Sequence, residues 1–409
     1  MLGENEVEVK PPSAGEHRIS RRSNLIMLKI IHTSDLHIGA KFGAFGEKAE
    51  AQRKAILSAL AKIVDMAIER SAHIVLISGD LFDSNFPSRA SVDFVKSQFN
   101  RLNEAKIHAA ILPGTHDCLS QDSIYKRERF GSEMPFVFVF DDASVMQKEF
   151  TDINLTLFAK PNTTNKSTES PTAFLESVVK SASTKYKVAM AHGSVQIEGK
   201  AAADDMPITL REISSSGIQY LALGHWHGCQ EFSFGSTIAW YAGSPEITYQ
   251  EGKGGLGQGY AVLVEIDDGA VEAEPVRVSE KELREIDIDM QIYENMDNVY
   301  HEIEKSAGHN VILRANIFGF SDATSLIDAE KMEEDFRDKF FSISVKDNTT
   351  LKIGEITGQN YPEELVIGQF VRIMRAKIDG ETDADQRRIL EEALQIGVAE
   401  LEGKGVLEN

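Results

Sequence analysis

No apolar run in the sequence reaches the roughly 18 residues that a membrane-spanning helix needs. The stretch SNLIMLKII near the start is apolar but short, and no small-residue cleavage site follows it, so no secretory leader is expected. Cysteine is scarce, at two in 409 residues, which suggests a reducing compartment and an expected cytoplasmic location. Basic charge is also in short supply. Lys and Arg number 43 against 64 Asp and Glu, a formal net charge of −21. This argues against a chain that holds nucleic acid by bulk charge. It leaves open a site where metal ions and a local basic rim reverse the field. Internal repeats and low-complexity segments are absent. What is present is an ordinary apolar fraction with 21 Phe, enough for a large core in two or three domains.

Residues 1–26 carry Pro, Ser and mixed charge without periodicity and are expected to form a disordered extension. From Met27 onward, apolar strands alternate with helices. MLKIIHTS reads as a strand. Residues 49–70 read as a helix with Ile56, Leu60, Ile63, Val64, Ala67 and Ile68 on one face. AHIVLIS is a buried strand, SRASVDFVKSQFNRLNEA a helix and IHAAILPG a strand. FVFVF, NLTLFA, KVAMAHG and YLALGH follow as further short strands, and TIAWYAG and GYAVLVEI as later, antiparallel ones. This is α/β patterning. After about residue 285 the texture changes to a small α+β unit, expected over 286–358. GQNYPEE reads as a linker. Two helices, at about 366–377 and 383–402, end the sequence within a segment expected over 359–409.

Five turns share one layout, in which an apolar strand ends in a polar cluster. They are SDLHIG (34–39), SGDLFD (78–83), PGTHD (113–117), AHG (191–193) and GHWHG (224–228). In open α/β sheets, ligands bind beyond the carboxyl ends of strands. Asp35 and His37 are two apart, so an extended backbone turns both side chains the same way, and His225 and His227 repeat that spacing. Each cluster alone is more often structural than functional. Buried together without a metal, so many polar groups would be very costly. Mixed imidazole and carboxylate donors suit divalent transition metals, and there are enough for two ions.

The order of these clusters resembles the calcineurin-like metallophosphoesterase superfamily, with its D-x-H, G-D-x-x-D, G-N-H-D/E, G-H and G-H-x-H pattern. HTSDLHIGAKFG with AQRKA, SGDLFDSNFPS, and YAGSPEITYQEGKGGLGQGYAVLVEI are similar to the SbcD/Mre-type DNA repair exonucleases. The resemblance covers about residues 27–270. It implies a four-layer αββα sandwich over 27–285, capped by the small unit and followed by the C-terminal helices. It implies one metal held by Asp35, His37, Asp80 and His227, and a second by Asp80, Thr115, His192 and His225, with Asp80 bridging. His116 would sit over the scissile phosphate, oriented by Asp83. Two such ions, about 3.5–4 Å apart, supply hydroxide near neutral pH and polarise the phosphoryl group. The resemblance implies manganese, while the donor set alone also allows zinc or iron.

The family has asparagine where this chain has Thr115. A hydroxyl is a weaker and shorter ligand than an amide oxygen, so the second metal is expected to bind less tightly or to take a water in that slot. Threonine can still ligate through its hydroxyl, as in P-loop sites. Lys41, Lys48, Arg53, Lys54, Arg89, Lys126, Arg127 and Arg129 follow the motifs at the rim. Of these, Lys41, Arg53, Lys54, Arg89, Lys126 and Arg127 are the candidate DNA contacts. Tyr125 and Phe130 are weighed as base-stacking or core side chains. Cys118 and Cys229 are weighed as small buried residues or a redox gate, with the first favoured. Trp226 is expected to pack inward. The last helix shows an apolar stripe of Ile389, Leu390, Ala393, Leu394 and Val398, to be covered by the chain's own body or by a partner.

The expected function is a two-metal DNA exonuclease or endonuclease acting on DNA ends in double-strand-break repair. Its expected partners are DNA and an SMC-like ATPase of the SbcC type bound through the C-terminal helices; a homodimer is a further expectation, and no membrane is. Two alternatives stand beside it. One is a metallophosphoesterase on a small or non-nucleic-acid phosphodiester. The other is a weakly catalytic module that binds DNA ends, motivated by Thr115.

Overall fold

A computed structural model describes residues 27–197, 202–248, 256–293, 295–321, 327–351 and 361–403. The extension expected over 1–26 and the first part of the expected linker GQNYPEE lie outside the described residues.

The first sheet grows from the opening apolar run. β1 (Leu28–Thr33), β2 (Ile74–Ser78), β3 (His108–Leu112) and β4 (Val137–Val139) lie side by side in parallel. β11 (Tyr260–Asp267) pairs antiparallel with β1, and β12 (Ala270–Arg277) with β11. The second sheet has the order β5 (Gln147–Phe150), β6 (Leu155–Ala159), β7 (Tyr186–His192), β8 (Tyr220–Gly224), β10 (Ile238–Tyr241), β9 (Gln230–Glu231). TIAWYAG, expected antiparallel, runs parallel to β8 and meets only the short β9 in antiparallel register. Alternation of side chains sets which face is buried and leaves the direction of the neighbour open.

The two sheets bury a shared core. Leu28 and Ile30 of β1 and Ile74 and Leu76 of β2 meet Leu157, Val188 and Ala222 of the second sheet. The intervening residues, Ile31, Val75 and Ile77, face the other way. There they pack under α1 (Ala49–Glu69), α2 (Arg89–Glu104) and α3 (Ile124–Glu128). α1 buries Ile56, Leu60, Ile63, Val64 and Ala67, while Ile68, expected on the same face, is exposed. α2 starts where the Ser88 side chain accepts the Ser91 N–H, a standard cap. α4 (Leu175–Val178) and α5 (Leu210–Ser215) cover the outer face of the second sheet. The layers therefore run helix, sheet, sheet, helix, as expected.

The small unit begins earlier than expected. β13 (Glu282–Asp289) pairs with β14 (Gly308–Ser321), so a boundary after 285 would cut a strand, and the unit starts at about 282. β14 pairs in turn with β15 (Phe340–Leu351), and every pairing is parallel. α6 (Met290–Tyr293) and α7 (Met296–Lys305) join the first two strands, and α8 (Ala329–Phe336) the next two. The unit expected as α+β is thus built as βαβαβ. It docks on the larger domain through Ile312 against Phe45 and Ile247, and Lys48 Nζ donates to the carbonyls of Arg337 (3.2 Å) and Phe340 (2.9 Å).

α9 (Val366–Gly380) and α10 (Ala384–Leu401) form an antiparallel pair. Leu394 and Val398 of α10 are fully buried against Val371, Met374 and Ile378 of α9. Ile389, expected in that stripe, is 52% exposed and Ala393 is exposed too, so the buried seam is narrower than the expected one.

Candidate metal centre

The polar turns gather where the parallel strands end. Asp35 and His37 follow β1, Asp80 and Asp83 follow β2, Thr115 and His116 follow β3, His192 ends β7, and His225 and His227 follow β8. The first three strands belong to one sheet and the last two to the other, so the cluster bridges the sandwich at one end. The backbone there is unusual. Asp35 (φ 53°), His37 (φ 49°), Asp80 (φ 51°) and His225 (φ 104°) all have positive φ without being glycine. Such conformations persist only where surrounding bonds impose them, and they concentrate at functional sites. Asp35 N–H donates to Gly79 O (3.1 Å) and His37 N–H to Asp80 O (3.0 Å), which lock the first turn onto the second. Gly224 must be glycine, because a Cβ there would lie 1.9 Å from Ser78 O.

Three groups of potential ligand atoms converge: Asp35 with His37 and His227; Asp35 with Asp80 and His192; and His37 with Asp80 and His116. Asp80 is shared by two of them. Its Oδ1 accepts the His116 N–H (2.8 Å), and its Oδ2 lies 3.1 Å from both Thr115 Oγ1 and His192 Nε2. Thr115 Oγ1 is also 3.4 Å from His192 Nε2, so the hydroxyl faces the same space as the carboxylate and the imidazole. His225 enters none of the three groups. Its backbone N–H donates to both Asp35 oxygens (3.1 Å), and its Nε2 lies 2.8 Å from Asp205 Oδ1. His116 is partly exposed, with Nδ1 3.2 Å from the Asp83 carbonyl and 3.7 Å from Asp83 Oδ1. Asp83 also lies 3.4 Å from His37 Nδ1, so it stands between the two histidines.

The donor set suits a cation. The Thr248 hydroxyl donates to Gln258 Oε1 (3.0 Å), so its oxygen accepts from His227 Nδ1 (3.2 Å), leaving His227 Nε2 as a lone pair. That lone pair faces His37 Nε2 at 3.2 Å. His192 Nδ1 is likewise occupied by Ser78 O (2.9 Å), which turns Nε2 toward Asp80. Anchoring one ring nitrogen so that the other is presented is the usual arrangement behind metal ligands. Burial works to raise the Asp80 carboxyl, but His192, His37 and His116 outweigh it and hold Asp80 well below the usual range. Burial works to lower His192, but Asp80 and Asp35 push it up to about 9. His37 is raised, with Asp83, Asp80 and Asp35 overcoming its burial, while burial drops His227 to about 4. The negative field is strong enough to hold a proton on His192, and a divalent ion would take over that role.

Several supporting residues escaped the sequence reading. Asp117 lies inside a quoted motif without an assigned role; it accepts from Gly114 N–H (2.7 Å), Phe82 N–H (3.0 Å) and Tyr125 OH (2.6 Å). Burial, then Asp80, raises its carboxyl to about 6. Tyr125 and Phe130 are buried and pack with Phe82, so they are core side chains and cannot stack on bases. Asn162 Nδ2 donates to His192 O (3.0 Å). Trp226 packs inward, stacked on Tyr241 at 5.0 Å. Cys229 is buried, and burial pushes its thiol up to about 12, which makes it inert rather than a redox gate.

Of the rim cations, Lys54 pairs with Glu50 (2.7 Å) and Arg89 with Asp93 (2.9 Å). Arg53 Nη1 donates to Lys41 O (2.9 Å) and Lys126 Nζ to Ser120 O (2.9 Å). Arg127 donates to the carbonyls of Asp122 and Asn85 and lies 5.0 Å from the ring of the exposed Phe86.

Comparison with known proteins fits this geometry. The calcineurin-like phosphoesterase family model matches residues 28–229. The chain is 25% identical over 296 residues to the DNA double-strand break repair protein Mre11 of Thermoplasma acidophilum, covering 67% of this chain and 70% of that protein. It is 24% identical over 286 residues to YhaO of Bacillus subtilis, an uncharacterized metallophosphoesterase, covering 68% of this chain and 67% of that one. Among solved structures, the calcineurin-like phosphoesterase YfkN from Bacillus subtilis aligns with a TM-score of 0.37 at 14% identity, over 62% of this chain and 91% of that chain. The strand-end clusters that converge on Asp35 and Asp80, within the segment the family model matches, make residues 28–229 a calcineurin-like metallophosphoesterase domain.

Proposed function

We propose that the chain is a two-metal phosphodiesterase acting on DNA ends. The observation that carries the metal reading is Asp80, whose carboxylate belongs to two of the three ligand groups, one with His37 and His116 and one with Asp35 and His192. Asp35, His37, Asp80 and His227 would hold one ion, and Asp80, Thr115, His192 and His225 the other, with manganese the proposed metal. Ions held there would supply a nucleophilic hydroxide and polarise the phosphoryl oxygens. His116 stands at the open edge of the cluster, and its Asp83 contacts orient the ring. It is placed to give a proton to the leaving oxygen or to steady charge on the phosphate.

Similarity to a double-strand break repair protein supports DNA as substrate. Lys41, Arg53, Lys126 and Arg127 then form the phosphate-gripping part of the rim, with Lys54 and Arg89 already engaged by acids. The α9–α10 hairpin leaves Val366, Ile373 and Ile389 exposed, which supports docking of an SMC-like ATPase there. The deciding experiment incubates the protein and manganese with one duplex in linear and in covalently closed form. Degradation of the linear form alone supports the reading. Cleavage of a small diester with neither duplex touched would favour a small substrate. Tight binding of ends without turnover would favour an end-binding module.

A further inference from the structure

His225 is held differently from the other ring ligands. His192 and His227 are each anchored through Nδ1 and present Nε2 to the cluster. His225 is anchored through Nε2, by Asp205 at 2.8 Å. Asp205 belongs to none of the strand-end turns.

The chain behind Asp205 fixes the protons. The Trp226 indole Nε1–H is a donor only, so Ser194 Oγ accepts from it at 2.8 Å. The single Ser194 hydroxyl proton is then given to Asp205 Oδ2. The carboxylate's other oxygen faces His225 Nε2, and a carboxylate only accepts. Nε2 therefore carries a hydrogen, and in the neutral ring the lone pair is on Nδ1. The segment bearing Asp205 is itself pinned. Ser194 N–H donates to Asp205 O (3.1 Å) and Met206 N–H to Ser167 O (3.0 Å). Val195 bridges to Ile208. A Cβ on Gly193 would come within 2.3 Å of Met206 O, so the strand end and this segment are in close backbone contact.

We propose that Asp205, backed by Ser194 and Trp226, is a positioning residue that holds His225 as the Nε2–H tautomer and so presents Nδ1 to the second metal. The assignment rests on reading the cluster as a two-metal centre. A carboxylate behind a ligating imidazole fixes the ring and raises its basicity, and losing such a partner typically costs about 10–100-fold in metal affinity. The second site already has Thr115 in place of an amide, so it depends more heavily on a well-set His225.

The test is a manganese titration, followed by the electron paramagnetic resonance signal of free ion, on the wild type, Asp205→Ala, Ser194→Ala, His225→Ala and the Asp205→Ala/His225→Ala double variant. The expected result is two ions on the wild type. Asp205→Ala should keep the first ion and bind the second about 10–100-fold more weakly, with Ser194→Ala weakened in the same direction but less. The double variant should be no weaker than His225→Ala alone, because Asp205 acts through His225. Two wild-type ions with an unchanged second affinity in both Asp205→Ala and Ser194→Ala would overturn the assignment. So would losses that add in the double variant, since Asp205 would then be a ligand in its own right. Fewer than two ions on the wild type would overturn the metal reading beneath it, which is a separate failure.

Discussion

Thr115 is the residue at which this site departs from the pattern its other turns follow. Its hydroxyl points at Asp80 Oδ2 and His192 Nε2 rather than away from them, so it faces the space of the proposed second ion and would offer it a poorer ligand than an amide. Thr115→Asn should tighten the second metal and lower the manganese concentration needed for activity; an unchanged manganese dependence would place Thr115 outside the coordination sphere. His116 is the exposed member of the His37, Asp80 and His116 group and is not one of the proposed ligands; its ring is 4.6 Å from that of His37. His116→Ala should retain both metals and lose about 10²–10⁴-fold in turnover. Loss of the metals, or wild-type turnover, would contradict that role. The field at His192 gives a pH dependence with a definite sign. A histidine that ligates a metal must be neutral, yet His192, a proposed ligand, is pushed up to about 9. Metal affinity should therefore rise from pH 7 toward 9, by about tenfold per unit for each proton displaced, and then level off. His227, pushed down to about 4, is already neutral at pH 7 and adds nothing to that slope. Isothermal titration at several pH values checks this, and a flat profile would contradict it.

At the scale of elements, what was legible in the sequence was local. Asp35, His37, Asp80, His192 and His227 each lie at or within a few residues of the end of an apolar strand, so strand and candidate ligand are read together. Asp205, Thr248 and Asn162 were not legible, because each acts through a bond to a residue far along the chain and no strand-end pattern marks them. The direction of β10 was hidden for a related reason, since its partner β8 lies outside its own sequence window. The start of the small unit was misplaced because β13 finds its partner more than twenty residues later. The C-terminal stripe was half right. Leu394 and Val398 are covered by α9, while Ile389 is left outside. Leu394→Ala should destabilise the hairpin by about 2–5 kcal/mol and leave metal binding unchanged. Hydrogen exchange localised to α9 and α10 is the measurement; a global loss of protection, or weakened metal binding, would show that the hairpin supports the larger domain.

At the scale of the whole molecule, the acidic balance and the proposed substrate have to be reconciled. A net charge of −21 cannot draw in a polyanion by bulk attraction. The proposed attraction lies at one end of the sandwich, where divalent ions would offset Asp35 and Asp80 and where Arg53, Lys126 and Arg127 donate to backbone carbonyls. Among the described residues no helix is long and apolar enough to cross a membrane. The small unit is tied to the turn after the first motif by Lys48 and Phe45, so its position is set by the same segment that carries His37. The central claim is that catalysis needs both ions around Asp80. Its most direct test is the rate of phosphodiester cleavage as metal-free protein is titrated with manganese. Turnover should stay low up to one equivalent and then rise to saturate near two. Full activity at one equivalent, or turnover that ignores the metal, would contradict it.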